Sequence, residues 1–523
     1  PFGRLATFAA RAQPHTPRAR PKNMLRRAIT LHVRPARPHC RRELSTNRAH
    51  WPLWIDNAHH EAIGGATLDI EDPATGETVA TCAAADAADV DAAVKSGQNA
   101  WAGWRQAGVK QRGAVLRKAA ALLRDALPEL VDLETKHTGR PKREYAAQLG
   151  RVPEWYEYHA ALAETSEGRV PPLGGDPDHL AIVRREPLGV CGLITPFNHP
   201  LLIASKKLAP CLATGNVAVV KAPELAPASV LRLAEIFADA GAPPGVVNVV
   251  PGEGVTAGAA VAKHPDVARV DFTGGPRGGA ALGALAGARS VSFTSELGGH
   301  APVLVFADAD VDAAVAGACF AAFLASGQTC VSAKRILVAD AIFEEFAEKF
   351  ARRTDALRVG DPFESTTDVG PVVSGAALGS ARAHVINAAA DGASILSGGA
   401  DPCDVPERLR NGHFLRPTIL GGATPAMACF QDECFAPVVT LSSFGDEAEA
   451  VSLANANAHA LGAGIWTKDV ARAHRVAAAV NAGIVWVNAH HRNAPDAPWG
   501  GFLASGVGRE NGHEAQAEYT APK

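Results

Sequence analysis

Only two Met and four Tyr occur among the 523 residues, and aromatic side chains make up 6%. The nine Cys include no CxxC pair and no regular spacing, which excludes a disulfide framework or a structural zinc site as readings. They read instead as small core residues of a reducing compartment. Long apolar runs are also missing. The longest small-and-apolar stretch, 313–325, has thirteen residues, too short for a membrane span, and reads as a buried helix. At the N-terminus the missing group is acid: residues 1–48 carry twelve Arg or Lys against Glu43 alone, a charge of +11. The rest carries 39 basic and 53 acidic side chains, a charge of −14. A broad basic surface for nucleic acid is therefore excluded. An apolar content of 47% with 20% charged residues excludes wholesale disorder, collagen repeats and coiled coil.

Leu25, Ile29 and Val33 recur at helical spacing among Arg26, Arg27 and Arg34, until Pro35 and Pro38. This predicts a short basic amphipathic helix, with the composition of an organellar transit peptide. The alternatives are a solvated basic arm, or a translation extended upstream of the true start. A cytoplasmic body is the reading, with the mitochondrial matrix as the alternative if the extension is a leader.

From Trp54 onward strands and helices alternate. The runs 189–194, 217–220, 246–250 and 267–273 read as strands, as does 181–183, while 87–94, 110–134, 228–240 and 256–263 read as helices. A second series begins at 302–306 and continues past 336–338. Alternation of this kind predicts α/β architecture with parallel sheets wound by helices. Gly252, Gly254 and Gly258 follow one strand with spacing one residue longer than the dinucleotide fingerprint. Structural turns explain that spacing nearly as well. Gly274, Gly275, Gly278 and Gly279 follow another strand, where bare backbone N–H groups would approach a pyrophosphate.

Three residues could carry chemistry. Cys330, in a Gly-containing loop after the apolar stretch, reads as a nucleophile or as an ordinary buried thiol. Glu296 is the only acid between Asp271 and Asp308, and desolvation there would suit a general base. Asn198 lies between Pro196 and Pro200 after a strand, either as an oxyanion donor or as a turn residue.

Taken together these segments resemble the aldehyde dehydrogenase superfamily. Carrying that resemblance are PFNHP at 196–200, KAPELAP at 221–227, PPGVVNVVPG at 243–252, FTGG at 272–275 and ELGGHAP at 296–302. They are followed by GQTC at 327–330, GPVVS at 370–374, DECFAPV at 432–438, GIVWVN at 483–488 and PWGGFLASGVGRE at 498–510. ELGG with the Cys of GQxC thirty-four residues after its Glu is specific to that family.

The resemblance implies a Rossmann-like NAD-binding domain over 49–297 and an α/β catalytic domain over 298–488. It further implies a small β oligomerisation element near 165–188, a C-terminal return segment at 489–523, and a homodimer or homotetramer. Cys330 becomes the nucleophile, Glu296 the base that hydrolyses a thioester on it, Asn198 the oxyanion donor, and Lys207 a structural or proton-path residue. Implied cofactor contacts are Thr195, Pro196, Lys221, Glu224, Gly252, Phe272, Thr273, Gly274, Gly275, Leu297, Glu433 and Phe435. A carboxylate at Glu224 favours NAD over NADP. The implied substrate pocket comprises His199, Ile203, Lys206, Thr329, Val331, Arg492 and Trp499, with His490, His491 and Asn493 nearby. A basic, polar lining suits an aldehyde bearing a carboxylate or hydroxyl; the alternative is a solvated loop at 490–493 with Trp499 alone touching substrate.

Departures from the family pattern are Gly275 for Ser, His300 and Leu503 for Lys, Ala436 for Gly and Ala521 for Glu. Relatives continue past the position of Lys523 with a strand of an inter-subunit sheet, so either a shortened chain or altered oligomer contacts are expected. A retired scaffold and an ester-hydrolysing cysteine enzyme are the competing functions. Retention of Cys330, Glu296 and Asn198 counts against the first, and Lys221, Glu224 and Glu433 against the second.

Overall fold

The computed structural model describes residues 48–523; the basic helix expected after Met24 lies outside them. The strand-then-helix pattern forms two large, mostly parallel sheets. The first contains β1 (Val190–Ile194), β2 (Val217–Ala222), β3 (Val247–Pro251), β4 (Val267–Thr273) and β5 (Ser292–Glu296), in the spatial order β5-β4-β1-β2-β3. All four contacts among them are parallel. Antiparallel pieces extend both edges: Gly506–Val507 beside β5 and the hairpin Leu53–Ile55/Ala58–His60 beside β3. The second sheet runs Ser394–Ser397, β8 (Thr418–Gly421), β9 (Val438–Phe444), β7 (Ala333–Ala339), β6 (Ala301–Val305), β10 (Gly462–Trp466) and β11 (Ile484–Val487).

Helices cover these sheets, which is why β1, β2 and β3 are buried along their whole length and mostly apolar, Lys221 and Asn248 excepted. Each fully buried Val or Leu contributes about 1.5–3 kcal/mol. Gly192 in β1 is required by contact, since a Cβ there would collide with the side chain of Val261. The sheet order reverses between β1 and β4: β1, β2 and β3 are laid down in one direction, then β4 and β5 in the other. In open α/β sheets the ligand crevice lies outside the carboxyl ends of the strands at this switch. Here those ends carry Thr195 and Pro196 after β1, and Thr273, Gly274 and Gly275 at the end of β4.

Several helices aim the functional residues. α1 (Val109–Thr138) ends at Gly139, whose φ of 74° is the left-handed conformation that glycine adopts freely. The chain then turns through Arg140 into α2 (Lys142–Leu149). α3 (Pro200–Ala213) starts with Pro at its first position, where the missing N–H costs nothing. α4 (Ala228–Ala240) has the limits its spacing predicts. α5 (Pro276–Ala288) opens at the glycine-rich turn, and α6 (Val311–Phe323) is capped by Asp310, which accepts from the Ala313 N–H.

Three local expectations fail. Residues 181–183 form no strand; Val183 makes a lone bridge to Arg169, and Leu180 and Ile182 are exposed. The β-branched run has no long partner to ladder against. The helix expected at 256–263 begins as a π turn, Gly254–Gly258, and becomes α-helical only at Ala259–Lys263, because two glycines weaken its first turn. The stretch 313–325 is not a uniformly buried helix: Phe320 is exposed, and the helix stops before Ala325.

Candidate active site

The nucleophile candidate sits in a strained loop. After α6, Ala325, Ser326 and Gly327 have φ of 53°, 53° and 69°, and a non-glycine residue held there costs on the order of 1–3 kcal/mol. The surroundings hold it. Glu144 accepts from the Ala325 N–H (3.0 Å), Ser326 donates to the Gly370 carbonyl (2.9 Å), and Gln328 accepts from the Val373 N–H (3.0 Å). The buried Lys334 ammonium donates to the carbonyls of Gly327 (2.8 Å) and Ala436 (2.6 Å). That lysine ties the Cys330 loop to the segment carrying Glu433 and Phe435.

Cys330 is half-buried on the wall of a cavity of about 480 Å³. Burial pushes its thiol up to about 12; the Lys206 cation opposes this, while Glu433, Glu296 and Glu510 add to it. Glu296 ends β5 on the same cavity, 4% exposed, with neither carboxylate oxygen hydrogen-bonded among the described residues. Burial first, and then the Glu510 carboxylate, hold it well above the usual carboxylate range. A buried acid that protonates readily and has no fixed partner has the properties of a general base awaiting water. Gly500 backs it closely, since a Cβ there would lie 2.8 Å from Glu296 Oε1.

Asn198 precedes α3. Its Nδ2 donates one hydrogen to the Gln328 carbonyl at 2.8 Å, leaving the second free. The Cys330 backbone N–H has no acceptor among the described residues. Lys207 does not line the cavity. One position beyond Lys206 on α3, it points about 100° around the helix and pairs with Asp271 and with Glu510 (2.7 Å). Burial alone would lower it, but those two carboxylates outweigh burial and hold it above its ordinary value.

The residues expected to bind a cofactor gather around the switch-point crevice. The Thr195 N–H donates to the Lys221 carbonyl at 3.2 Å, and Lys221 pairs with Glu224 at 3.1 Å at the end of β2. Gly252, after β3, has no room for a Cβ beside Ala257 and the Ala85 carbonyl. The Phe272 ring lies beneath Gly274, Gly275 is open at the start of α5, and Leu297 packs on Gly279. Thr273 Oγ1 is buried without a partner among the described residues. Across the cleft, Glu433 accepts from the Gly299 N–H at 3.2 Å, and Phe435 meets Phe197 edge to face with centroids 6.1 Å apart. Pro196, between Thr195 and Phe197, has no N–H to donate.

His199, Ile203, Lys206, Thr329, Val331, Arg492 and Trp499 all line the cavity with Cys330 and Glu296. Ile203 and Lys206 share a face of α3 by their spacing of three. His491, Arg492 and Asn493 line it too, with Arg492 exposed to solvent. His490 does not: it is buried behind the wall, with Nε2 2.7 Å from the Val331 carbonyl. Most of the cations in the lining are paired with acids. Lys206 is paired with Glu510 at 2.5 Å, Arg140 with Glu144 at 2.8 Å, Arg143 with Asp368 at 2.7 Å and Arg151 with Glu154 at 3.0 Å. Among the described cations of the lining, Arg492 alone has no ion pair.

Sequence reasoning did not single out Arg140, Gln148 or Glu510. Arg140, in the turn before α2, and Gln148, on α2, are remote in sequence from every motif. Glu510 closes the motif at 498–510 and was legible as its terminal acid.

A model of the aldehyde dehydrogenase family matches residues 60–523. Among solved structures, PnpE from Pseudomonas sp. WBC-3 is similar over 91% of this chain and 96% of its own, at 37% identity and a TM-score of 0.88. PnpE in complex with nicotinamide adenine dinucleotide is similar over 90% and 96%, at 37% identity and 0.88. Betaine aldehyde dehydrogenase from Staphylococcus aureus, in complex with NAD+, is similar over 92% and 95%, at 33% identity and 0.89. Among the described residues no helix is long and apolar enough to cross a membrane.

Proposed function

The chain belongs to the aldehyde dehydrogenase family, and from that premise we propose that it oxidises an aldehyde to a carboxylic acid with NAD, through a covalent intermediate on Cys330. The convergence of Cys330 and the unpartnered Glu296 on one cavity carries this reading. The crevice residues fit a dinucleotide. The buried, partnerless Thr273 hydroxyl, the open turn at Gly275 and the Lys221–Glu224 pair offer donors and acceptors where its phosphates and ribose would lie. The bound cofactor would accept the hydride.

Cys330 gives up its proton to solvent, and its sulfur attacks the aldehyde carbon. The oxyanion of the resulting thiohemiacetal accepts from the free Asn198 Nδ2 hydrogen and the Cys330 N–H, donors preorganised for charge that develops only during reaction. Hydride loss leaves a thioester on Cys330. Glu296 takes a proton from water, the hydroxide adds to the thioester carbon, and the C–S bond breaks. The acid leaves and the Cys330 thiolate is restored. Lys207 acts through Glu510 as a positioning group.

The substrate reading is an aldehyde bearing a carboxylate, with Arg492 as its recognition group. We assign 49–297 to cofactor binding and 298–488 to catalysis; β5 ends and β6 begins on either side of that boundary. Exposed Val170, Leu180 and Ile182 support oligomerisation through 165–188, which light scattering would test. The central experiment follows NADH absorbance over an aldehyde panel, with Cys330→Ala as control. Formation by the wild type alone is expected, and no NADH from any aldehyde rejects the proposal.

A further inference from the structure

We infer that Thr329 presents a hydrogen-bond donor of fixed polarity beside the nucleophile and selects aldehydes carrying an acceptor oxygen close to the carbonyl carbon. This rests on the reading of the cavity as an aldehyde site. Three side chains in series set the polarity: Arg140, His199 and Thr329. Arg140 is 4% exposed and can only donate. Its Nε donates to Glu144 at 2.8 Å, and its Nη1 reaches both Gln148 Oε1 and His199 Nδ1 at 3.0 Å. Its guanidinium also stacks over the Tyr145 ring at 4.9 Å, so the group is held from several sides.

Since Arg140 donates to Nδ1, that nitrogen must accept. Gln148 Oε1 also lies 3.2 Å from Nδ1, which would suit the opposite tautomer. That tautomer would press an imidazole N–H against the guanidinium N–H 3.0 Å away. Rotating the Gln148 amide would in turn set its NH2 against Arg140. Both alternatives replace a charge-assisted hydrogen bond with a donor–donor contact. Protonation of the ring does the same, and burial together with the Arg140 cation holds His199 well below its ordinary value.

The imidazole is therefore neutral, with its hydrogen on Nε2, which lies 3.1 Å from Thr329 Oγ1. His199 donates and the threonine oxygen accepts. Thr329 is 6% exposed, lines the cavity, and has no other side-chain partner among the described residues. Its own hydrogen is left for whatever enters. An unsatisfied buried donor is costly and rewards a ligand that supplies the acceptor. Glu144 links this network to the loop, because the oxygen that accepts from Arg140 also accepts from the Ala325 N–H. Thr329 directly precedes Cys330 and both line the same cavity, which sets its hydroxyl toward substrate atoms near the attacked carbon.

The test compares methoxyacetaldehyde with butanal, which differ by an oxygen in place of a methylene, for the full-length enzyme with NAD. The ether oxygen only accepts. We measure the ratio of kcat/KM for the two aldehydes in the wild type, Thr329→Val and Thr329→Ser. Differences in intrinsic reactivity cancel when these ratios are compared between proteins. The expected result is a ratio about tenfold or more lower in Thr329→Val and unchanged in Thr329→Ser. A general loss of packing would lower both substrates together and leave the ratio alone. Turnover of both aldehydes with the same ratio in wild type and Thr329→Val overturns this inference alone. Absence of turnover on either aldehyde and on the wider panel overturns the oxidation reading, and this inference with it.

Discussion

Lys206 and Glu510 face each other as a buried ion pair at 2.5 Å on the cavity wall, 1% and 4% exposed. Glu510 is shared, since its other oxygen holds Lys207 at 2.7 Å. Burial would raise Glu510, but the two ammonium groups outweigh burial and bring it down to about 2. The ammonium also lies against the Trp499 ring, 4.6 Å from its centroid. Lys206 thus favours the ionised forms of Cys330 and Glu296, and Glu510 disfavours both.

Opposite pH shifts should follow from removing the two partners. Lys206→Met leaves Cys330 and Glu296 protonated to higher pH, so the rising limb of kcat/KM moves alkaline. At neutral pH the loss should be on the order of tenfold, a fraction of what a general base supplies. Glu510→Gln removes the opposing carboxylate, and its rising limb should move acidic. Damage to the fold would lower activity at every pH without opposed shifts, so profiles that fall in parallel would refute the assignment.

Gly298 and Gly299 should behave differently when a methyl group is added. At Gly298 the new Cβ would meet the end of the Glu433 side chain, which can swing aside; at Gly299 it would meet the Cys330 carbonyl, which is backbone. Gly298→Ala should raise KM for NAD with little change in kcat. Gly299→Ala displaces the nucleophile and should lower kcat about a hundredfold, the scale of a misplacement near 1 Å. Steady-state kinetics with varied NAD distinguish them, and equal effects on KM in both variants would contradict the argument.

Glu134 on α1 gives a stability test away from the chemistry. Its Oε1 accepts from the Leu201 N–H and the Ser229 hydroxyl, both at 2.7 Å, while Oε2 is buried without a partner among the described residues. Burial raises it from 4.5 to about 7. A carboxyl raised on folding stabilises the protonated state, an advantage fully present below its unfolded value and lost as pH rises through its folded one. Glu134→Gln keeps the acceptor and never ionises. Relative to wild type it should gain about 2–3 kcal/mol between pH 5 and pH 8. Urea unfolding at both pH values measures this, and a constant difference would be the contrary result.

What the sequence disclosed depends on how local each feature is. Residues 228–240 and 267–273 form the helix and strand that periodicity predicts, because one buried face governs each. Residues 181–183 have the β composition without a partner strand, and pairing is not written in the run itself. Cys330, Glu296 and Asn198 were readable because glycines and prolines fix the backbone beside them. Arg140 was not: only the turn at Gly139 and the approach of His199, fifty-nine residues onward, give it a role. Lys206 was legible as a cation, but its neutralisation by Glu510 depends on a contact 304 positions away in sequence.

Arg492 provides the sharpest test of substrate class, because the other cations lining the cavity are already paired and its own guanidinium has no ion pair among the described residues. A carboxylate on the substrate would complete that pair, and hydrogen bonds between charged groups contribute about 1.5–3 kcal/mol. Arg492→Ala should therefore lower kcat/KM for a carboxylated semialdehyde about tenfold to a hundredfold, mainly through KM. An alkyl aldehyde of equal length should be turned over as before. Because Arg492 is exposed, added salt should erode the wild-type preference for the acid and leave the Ala variant unaffected. Arg492→Lys should recover part of the effect, since an ammonium attracts the carboxylate but lacks the bidentate geometry of a guanidinium. Equal efficiency on the two aldehydes, unchanged by Arg492→Ala and by salt, would remove the carboxylate from the substrate description and leave Thr329 as the polar selector of the cavity.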